Sequence, residues 1–223
     1  YNYENCAEVL PSAPPSVRCP APGNERGATR LDQQERAANV GGYARIEVEA
    51  PRQLFVSTAL RFDQVQFAVR DRFITSGNAD DSGDRTLRAV SPMLGVTWRA
   101  RPRWSLYGNL STAFETPTVT ELTNQETGAA GLNATLEPQR TRTVEVGTQA
   151  LLGQRVRADL ALFEAVVQDE LVPFDVPNQP GRRAFRNAGQ TTRRGAETAL
   201  RMAWANVDVG TSYTWSRFRF DRY

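Results

Sequence analysis

Apolar and polar residues alternate in segment after segment of this chain, and this period of two constrains its fold more than any other feature. Around 42–48, Ala44, Ile46 and Val48 alternate with Tyr43, Arg45 and Glu47. The same pattern recurs over 54–62, 88–98, 104–114, 143–150, 156–162, 196–204 and 207–215. A period of two is typical of a strand with one apolar face. The sequence therefore predicts an all-β fold, with about eight strands in this chain.

The connections between these segments alternate in length. Short turns fall at Pro51-Arg52, Arg101-Pro102-Arg103, Gly153-Gln154 and Ala205-Asn206, whereas long polar stretches occupy about 71–85, 115–139 and 169–188. Short turns at one rim and long loops at the other are typical of an outer-membrane barrel. A helical membrane protein is excluded, because no run approaches the ~20 apolar residues that a spanning helix needs. The pattern favours a transmembrane antiparallel β-barrel.

A soluble β-sandwich would alternate in the same way, so two further details matter. Charged residues stand well inside the strands, which suits a wet lumen; these are Arg61, Glu145, Asp159 and Glu197. The apolar series often ends in an aromatic residue, which suits the girdle at a membrane interface; these are Phe62, Trp98, Trp104, Phe114, Trp204 and Trp215. A membrane barrel is favoured, and a passive porin or a soluble sandwich adhesion module stays open.

The residue types present argue against catalysis. The chain has no histidine, so it offers no Ser-His or Cys-His pair, and no glycine-rich phosphate loop precedes a helix. We predict no enzyme, no metal site and no cofactor. A net charge of +2 is too balanced to indicate a nucleic-acid partner. All basic residues are arginine, which reflects either codon bias or guanidinium groups that bind carboxylates and phosphates.

The two cysteines lie close together in a proline-rich stretch. Cys6 and Cys19 are placed among Pro11, Pro14, Pro15 and Pro20. This arrangement suits a disulfide that closes a loop in an oxidising compartment. Two unrelated free thiols are the alternative.

A set of short motifs follows one another in a fixed order. Phe114, Pro117 and the pair Glu121-Leu122 come first, then Leu136-Glu137-Pro138, and then Glu145-Val146-Gly147 on a strand. Further on stand Leu162-Phe163, Asp169-Glu170-Leu171, Asn187-Ala188-Gly189 and Arg193-Arg194-Gly195-Ala196-Glu197. In this order the motifs resemble those of TonB-dependent outer-membrane receptors. Gln139 departs from the pattern, since that family most often has Glu after the proline.

The resemblance implies a place for this chain in a larger molecule. Receptors of this family have a 22-stranded barrel filled by a plug domain, consistent with the plugged lumen of that size class. Residues 1–223 would then be part of the barrel, with an extracellular loop over 1–39 and strands and loops over 40–220. The plug and the TonB box would precede Tyr1, and several closing strands would follow Tyr223.

The resemblance also implies a function. Such receptors lie in the bacterial outer membrane, in contact with its lipids, and import a scarce small ligand with energy supplied through TonB. The motifs look most like the iron-chelate branch, so a ferric siderophore or similar anionic chelate is the expected ligand. Pyrroloquinoline quinone, which relatives of that branch import, is the alternative.

Ligand contacts are expected from the long loops, which combine cations with aromatic faces. The candidates are Arg72, Phe73, Phe174, Arg182, Arg183 and Phe185; solvated loop charges and anchoring aromatics are the alternative interpretation. Glu145 and Glu197 should face the lumen and pair with Arg61, Arg142, Arg157, Arg201 or the plug. Gly147 and Gly195 should allow the plug to pack closely against the wall.

Overall fold

The computed structural model describes residues 2–4, 31–179, 181–187 and 189–222. Within them the chain is built from strands and one short helix. Their bounds are β1 Asn2–Glu4, β2 Asp32–Ala50, β3 Leu54–Asp71, β4 Gly83–Arg101, β5 Trp104–Glu115, α1 Val119–Thr123, β6 Gln139–Leu152, β7 Val156–Gln168, β8 Leu171–Asp175, β9 Arg183–Asn187, β10 Gln190–Trp204 and β11 Val207–Arg222. No helix among these residues has the length and apolar content that crossing a membrane requires.

The strands of this described part form one large antiparallel sheet. Its order is β1-β2-β3-β4-β5-β6-β7-β10-β11, and β8 and β9 form a separate hairpin between β7 and β10. Each of the eight predicted segments lies within one long strand of this sheet, so the predicted all-β fold and its eight strands are confirmed. A sandwich needs two sheets packed face to face. The only other sheet in the described residues is the two-stranded hairpin, which rules the sandwich out.

The register joins the alternating series of neighbouring strands into two continuous faces. On the apolar face Leu94 of β4 lies opposite Leu110 of β5, and Leu110 lies opposite Val144 of β6. These three side chains are about half exposed, at 47%, 49% and 50%. A contiguous apolar surface of this kind marks a face that meets lipid in a membrane barrel. The opposite face, here called the polar face, carries Arg61, Ser91, Asn109, Glu145, Asp159 and Glu197.

The alternation changes phase near the long-loop end of two strands. In β3 the apolar residues occupy even positions as far as Phe62, whereas Phe67 and Val69 lie on the polar face and are buried. In β4 the buried Leu87 and Ala89 also lie on the polar face, and the exposed apolar series begins at Val90. Between the phase change and the long loops, the polar face is covered by loop residues, and the opposite face is no longer apolar. The phase change therefore marks where these strands extend past the apolar belt.

The strands are longer than the sequence predicts, and one boundary moves. β2 begins at Asp32, so residues 32–39 extend a strand instead of belonging to the loop predicted over 1–39. Tight turns cover 51–53, 102–103, 153–155 and 205–206. All three long loops, 72–82, 116–138 and 169–189, lie at the opposite rim. This separation of short and long connections agrees with the sequence prediction.

Candidate functional site at the long-loop rim

The long loops fold onto the polar face and form one packed layer. The apolar centre of this layer, here called the rim cluster, consists of Phe67, Leu87, Leu122 and Leu136. Leu122 and Leu136 come from loop 116–138 and are 0% and 1% exposed. Several partly buried residues pack around them, namely Val65, Val119, Leu132, Leu171 and Phe185. Because Phe67 and Leu87 face the polar side, loop 116–138 lies over the upper part of that face.

The helix α1 fixes the first half of loop 116–138. Thr118 caps the helix: its hydroxyl accepts a hydrogen bond from the Glu121 backbone N–H at 3.3 Å, and the Glu121 carboxylate accepts from the Thr118 N–H at 2.7 Å. This reciprocal arrangement is a capping box. Pro117 is buried just before it. The T-x-x-E signature of residues 118–121 was present in the sequence, but the stretch was expected to be an irregular loop.

Loop 116–138 is also tied to the strands below it. The Arg85 guanidinium of β4 donates to the Asn133 carbonyl and lies 3.4 Å from the Glu137 carboxylate. The Asn133 N–H donates to the Leu122 carbonyl at 2.7 Å, which closes the loop on its own helix. Arg85 was not among the predicted functional residues. Its role follows only from the fold, which places it under the loop.

Loop 72–82 joins the same layer through carboxylates. Asp71 accepts from the Phe73 N–H at 2.8 Å and from the Asp81 N–H at 3.2 Å. Asp81 in turn accepts from the Gly131 N–H of loop 116–138 at 3.2 Å. Burial raises the pKa of Asp81 despite this hydrogen bond, whereas hydrogen bonds from Ser82 lower the pKa of Asp80.

Loop 169–189 is held by the side-chain amide of Asn187. Its Nδ2 donates to the carbonyls of Glu137 at 2.8 Å and Asp169 at 2.7 Å, and its Oδ1 accepts from the Glu137 N–H at 2.8 Å. The two bonds to Glu137 join the hairpin of β8 and β9 to loop 116–138, and the bond to Asp169 closes loop 169–189 on itself. Pro138 is buried beside this junction. The Asn-x-Gly motif thus has a structural role: Asn187 binds the loops together. A Cβ on Gly189 would lie 2.5 Å from the Cβ of Arg222.

The six predicted ligand residues occupy two kinds of position in this layer. Arg182 donates to the Gln125 carbonyl at 2.7 Å and so joins two loops, and Phe185 packs against the rim cluster. Arg72 and Arg183 are exposed; Arg72 donates to the Gln34 side chain at 3.2 Å, and Arg183 lies 3.4 Å from Asp175. Phe73 is half-buried, and Phe174 lies under the Arg186 guanidinium, 5.0 Å from ring centroid to Cζ.

The polar face below the loop layer carries charges that pair along a strand. Arg61 donates twice to Asp63 at 2.7 Å, and Arg157 lies 3.2 Å from Asp159. Glu145 and Glu197 lie on this face as predicted, but within the described residues neither makes an ion pair. The predicted partner Arg142 is on the apolar side, because it stands an odd number of residues from Glu145 on β6. The side chain of Glu145 instead makes a hydrogen bond with Tyr107.

The two motif glycines of the wall make room for aromatic rings of adjacent strands. A Cβ on Gly147 would lie 2.5 Å from the Tyr107 ring. A Cβ on Gly195 would lie 2.6 Å from the Phe163 ring and closer still to the Trp215 carbonyl oxygen. An aromatic ring that covers a neighbouring glycine is a known device of curved sheets. Close packing was expected at both glycines, with the plug as the partner. Within the described chain, the groups that pack there belong to adjacent strands of the barrel wall.

Some predicted features lie elsewhere. Phe114 is the last residue of β5 on the apolar face, and it lies opposite Arg140 of β6. Cys6 and Cys19 lie outside the described residues. No group of three or more His, Cys, Asp or Glu in the part of the chain that is described could hold a metal ion.

Together, these features define a class of protein. A lipid-facing apolar belt, a polar inner face, short turns at one rim and a packed layer of long loops at the other are those of an outer-membrane β-barrel wall. The family model described as TonB dependent receptor-like, beta-barrel matches residues 6–223. The chain therefore belongs to the TonB-dependent receptor β-barrel family, whose barrels lie in the bacterial outer membrane.

Individual relatives and structures agree with this assignment. The chain is 26% identical over 172 residues, which are 70% of it, to the iron-regulated outer membrane virulence protein of two Vibrio cholerae O1 strains. It spans 26% of the length of those proteins. The fold is similar to that of the siderophore receptor PiuA from Acinetobacter baumannii, with a TM-score of 0.66 at 18% identity over 92% of this chain and 29% of that one. It is also similar to the ferric yersiniabactin uptake receptor FyuA from Yersinia pestis, with a TM-score of 0.61 at 16% identity over 86% and 28%.

Proposed function

We propose that the full-length protein takes up a scarce small ligand, a ferric siderophore or a similar anionic iron chelate, with energy supplied through TonB. The observation that carries the proposal is the loop layer at the extracellular rim. It is fixed by the rim cluster and by Asn187, and it presents cationic and aromatic side chains beside the lumen. Such groups suit an anionic, partly planar ligand. The names of the Vibrio relatives and of the two structural neighbours support iron as the cargo. We propose no catalytic step.

We propose Arg72, Phe73, Phe174 and Arg183 as the ligand contacts in this layer. The exposed guanidinium groups of Arg72 and Arg183 belong to different loops. A single ligand could contact both groups only if it bound at the rim, where these loops lie together. Arg182 and Phe185 hold the loops together. They would therefore affect binding indirectly, by fixing the shape of the loop layer, and not by touching the ligand. This division separates direct contacts from positioning residues.

The remaining partners are proposed from the family and from the polar face. A plug domain and TonB box before this chain, and the other strands of a 22-stranded barrel, would complete the molecule. The Oδ1 atom of Asn109 is buried on the polar face without a hydrogen-bond partner in the described residues. A buried acceptor usually finds a donor. On the same face, Glu145 and Glu197 offer polar contacts to a plug.

The test is uptake of ⁵⁵Fe by cells that express the full-length protein and lack their other iron receptors. We expect chelate-dependent uptake that disappears when TonB is deleted. Changing both Arg72→Ala and Arg183→Ala should weaken chelate binding roughly a hundredfold or more, since hydrogen bonds to charged groups contribute ~1.5–3 kcal/mol each. The matched control is Arg52→Ala in a short turn, which should leave binding unchanged. The ligand assignment is wrong if ferric chelates do not bind, and uptake of pyrroloquinoline quinone instead would support the alternative cargo.

A further inference from the structure

Arginines follow the upper edge of the apolar belt on the lipid-facing side of the sheet. The highest apolar residues of that side include Val90 on β4 and Val144 on β6. The next outward positions on the same or neighbouring strands carry arginine, namely Arg88, Arg142, Arg194 and Arg217. Side chains two residues apart on a strand share a face. These cations therefore stand just past the apolar belt, on the side of the long loops.

A notch opens in this edge where β4 and β5 separate. Their pairing ends at Met93 and Ser111, although both strands continue towards the long loops. Pro92 is the next residue of β4, and it has no N–H to continue the ladder. The Thr112 hydroxyl donates to the Pro92 carbonyl at 3.2 Å, which replaces one of the missing backbone bonds.

The notch combines an apolar floor with two cations. Its volume is about 210 Å³, and its lining includes Val90, Phe114, Arg140, Arg142 and Gln168. Arg140 and Arg142 lie two residues apart on the same face of β6, about 7 Å from each other. Within the described chain neither guanidinium has an ion-pair partner. Other outward arginines do: Arg194 is bonded to Glu164, and Arg219 lies 2.7 Å from Asp221.

We propose that this notch binds the phosphate group of a lipid in the outer leaflet. The guanidinium groups of Arg140 and Arg142 would donate hydrogen bonds to the phosphate oxygens, a pairing that suits the planar fork of arginine. The acyl chains of the same lipid would run down the belt below Val90. This continuity with the lipid-facing surface selects a membrane lipid over free phosphate. The site is separate from the loop layer and independent of the transported ligand.

The test measures lipid binding to the full-length receptor in detergent by native mass spectrometry. The probe is phosphatidic acid, whose headgroup is a phosphate monoester, and phosphatidylcholine is the comparison lipid. Each Arg near a lipid surface contributes about fivefold in affinity. We expect the double variant Arg140→Gln with Arg142→Gln to bind phosphatidic acid at least about tenfold more weakly than the wild type. The variant Arg140→Lys with Arg142→Lys keeps both charges but lacks the planar fork, so it should bind phosphatidic acid more tightly than the double glutamine variant and less tightly than the wild type.

A matched control removes the same charge at the other rim. Arg52→Gln with Arg155→Gln alters two exposed turn residues and should leave binding unchanged. The proposal is overturned if this control loses as much affinity, or if the wild type retains phosphatidylcholine as tightly as phosphatidic acid. It is also overturned if millimolar inorganic phosphate displaces the lipid, because the site would then recognise free phosphate.

Discussion

Single glycines shape the wall of this barrel by admitting aromatic rings. A Cβ at Gly147 would meet the Tyr107 ring and a Cβ at Gly195 would meet the Phe163 ring, so each ring occupies the space beside a glycine of the neighbouring strand. The sequence predicted close packing at these two positions but assigned it to the plug. The identity of the packing partner depends on register, which the sequence did not reveal. Gly195 is the more constrained position, because a backbone carbonyl oxygen and a ring both occupy the space that a Cβ would need.

Gly195→Ala tests this constraint. The added methyl group would collide with the Trp215 carbonyl oxygen and the Phe163 ring, and the backbone oxygen cannot move without shifting β11. Overpacking of this kind costs about 1–3 kcal/mol. The free energy of unfolding, measured by urea titration of the full-length barrel in lipid vesicles, should fall by that amount. Gly210→Ala is the control, since its Cβ would meet nothing within 4 Å. Equal losses in both variants would contradict the explanation.

Asp81 and Asp80 should respond to pH in opposite ways. Burial raises the pKa of Asp81 above its ordinary value of 3.8, so the stability linked to this group is present below the unfolded pKa and lost as pH rises through the folded pKa. Hydrogen bonds lower the pKa of Asp80, so its stabilising effect is present above pH 3.8 and is lost as the pH falls through the folded pKa. At pH 7, Asp81→Asn should therefore slow opening of the loop layer, and Asp80→Asn should speed it.

Hydrogen exchange of the Gly131 amide, corrected for its intrinsic rate, measures this opening. The amide of Gly131 donates to Asp81, and the asparagine Oδ1 can still accept that bond. The slower exchange of the Gly131 amide in the Asp81→Asn variant should no longer be seen near pH 3, where the wild-type carboxyl is protonated. A gain of the same size at both pH values would show that charge is not its cause.

Among the elements, α1 decides how the longest loop meets the wall. Its five residues are too few to form a stable helix alone. The capping box at Thr118 and Glu121 and the burial of Leu122 supply the missing stability. A search of the sequence for T-x-x-E before an apolar residue could have found this helix. Its docking on Phe67 and Leu87 could not be predicted, because it depends on which face of β3 and β4 the loop covers.

Removal of the cap should loosen this helix. Thr118→Ala eliminates the hydroxyl that accepts from the Glu121 N–H, at a cost of about 1 kcal/mol. Amides 121–123 should then exchange about fivefold faster in the full-length protein. Glu121→Gln is the control, because glutamine also completes a capping box. If Thr118→Ala leaves these rates unchanged, the cap does not hold the helix.

At the scale of the whole molecule, alternation predicted the strands, and loop lengths predicted that the long loops share one rim and the short turns the other. The upper ends of the strands were missed because the apolar residues there change face. Phe67 and Leu87 break the alternation that a lipid-facing strand requires, and only the covering loop explains them. The resemblance identified motif residues such as Asn187, but not that its amide joins two loops. Long-range contacts of this kind depend on the folded arrangement, so residue order alone could not reveal them.

Labelling of cysteines on intact cells tests the central claim most directly, namely that this chain is a wall of an outer-membrane barrel with its long loops outside. Single cysteines would replace Ser76 in a long loop and Gln154 in a short turn, in the full-length protein with Cys6 and Cys19 changed to serine. A membrane-impermeant maleimide should label the cysteine at position 76 on intact cells and the one at position 154 only after the outer membrane is permeabilised. Labelling of position 154 on intact cells, or of neither position until permeabilisation, would contradict this account.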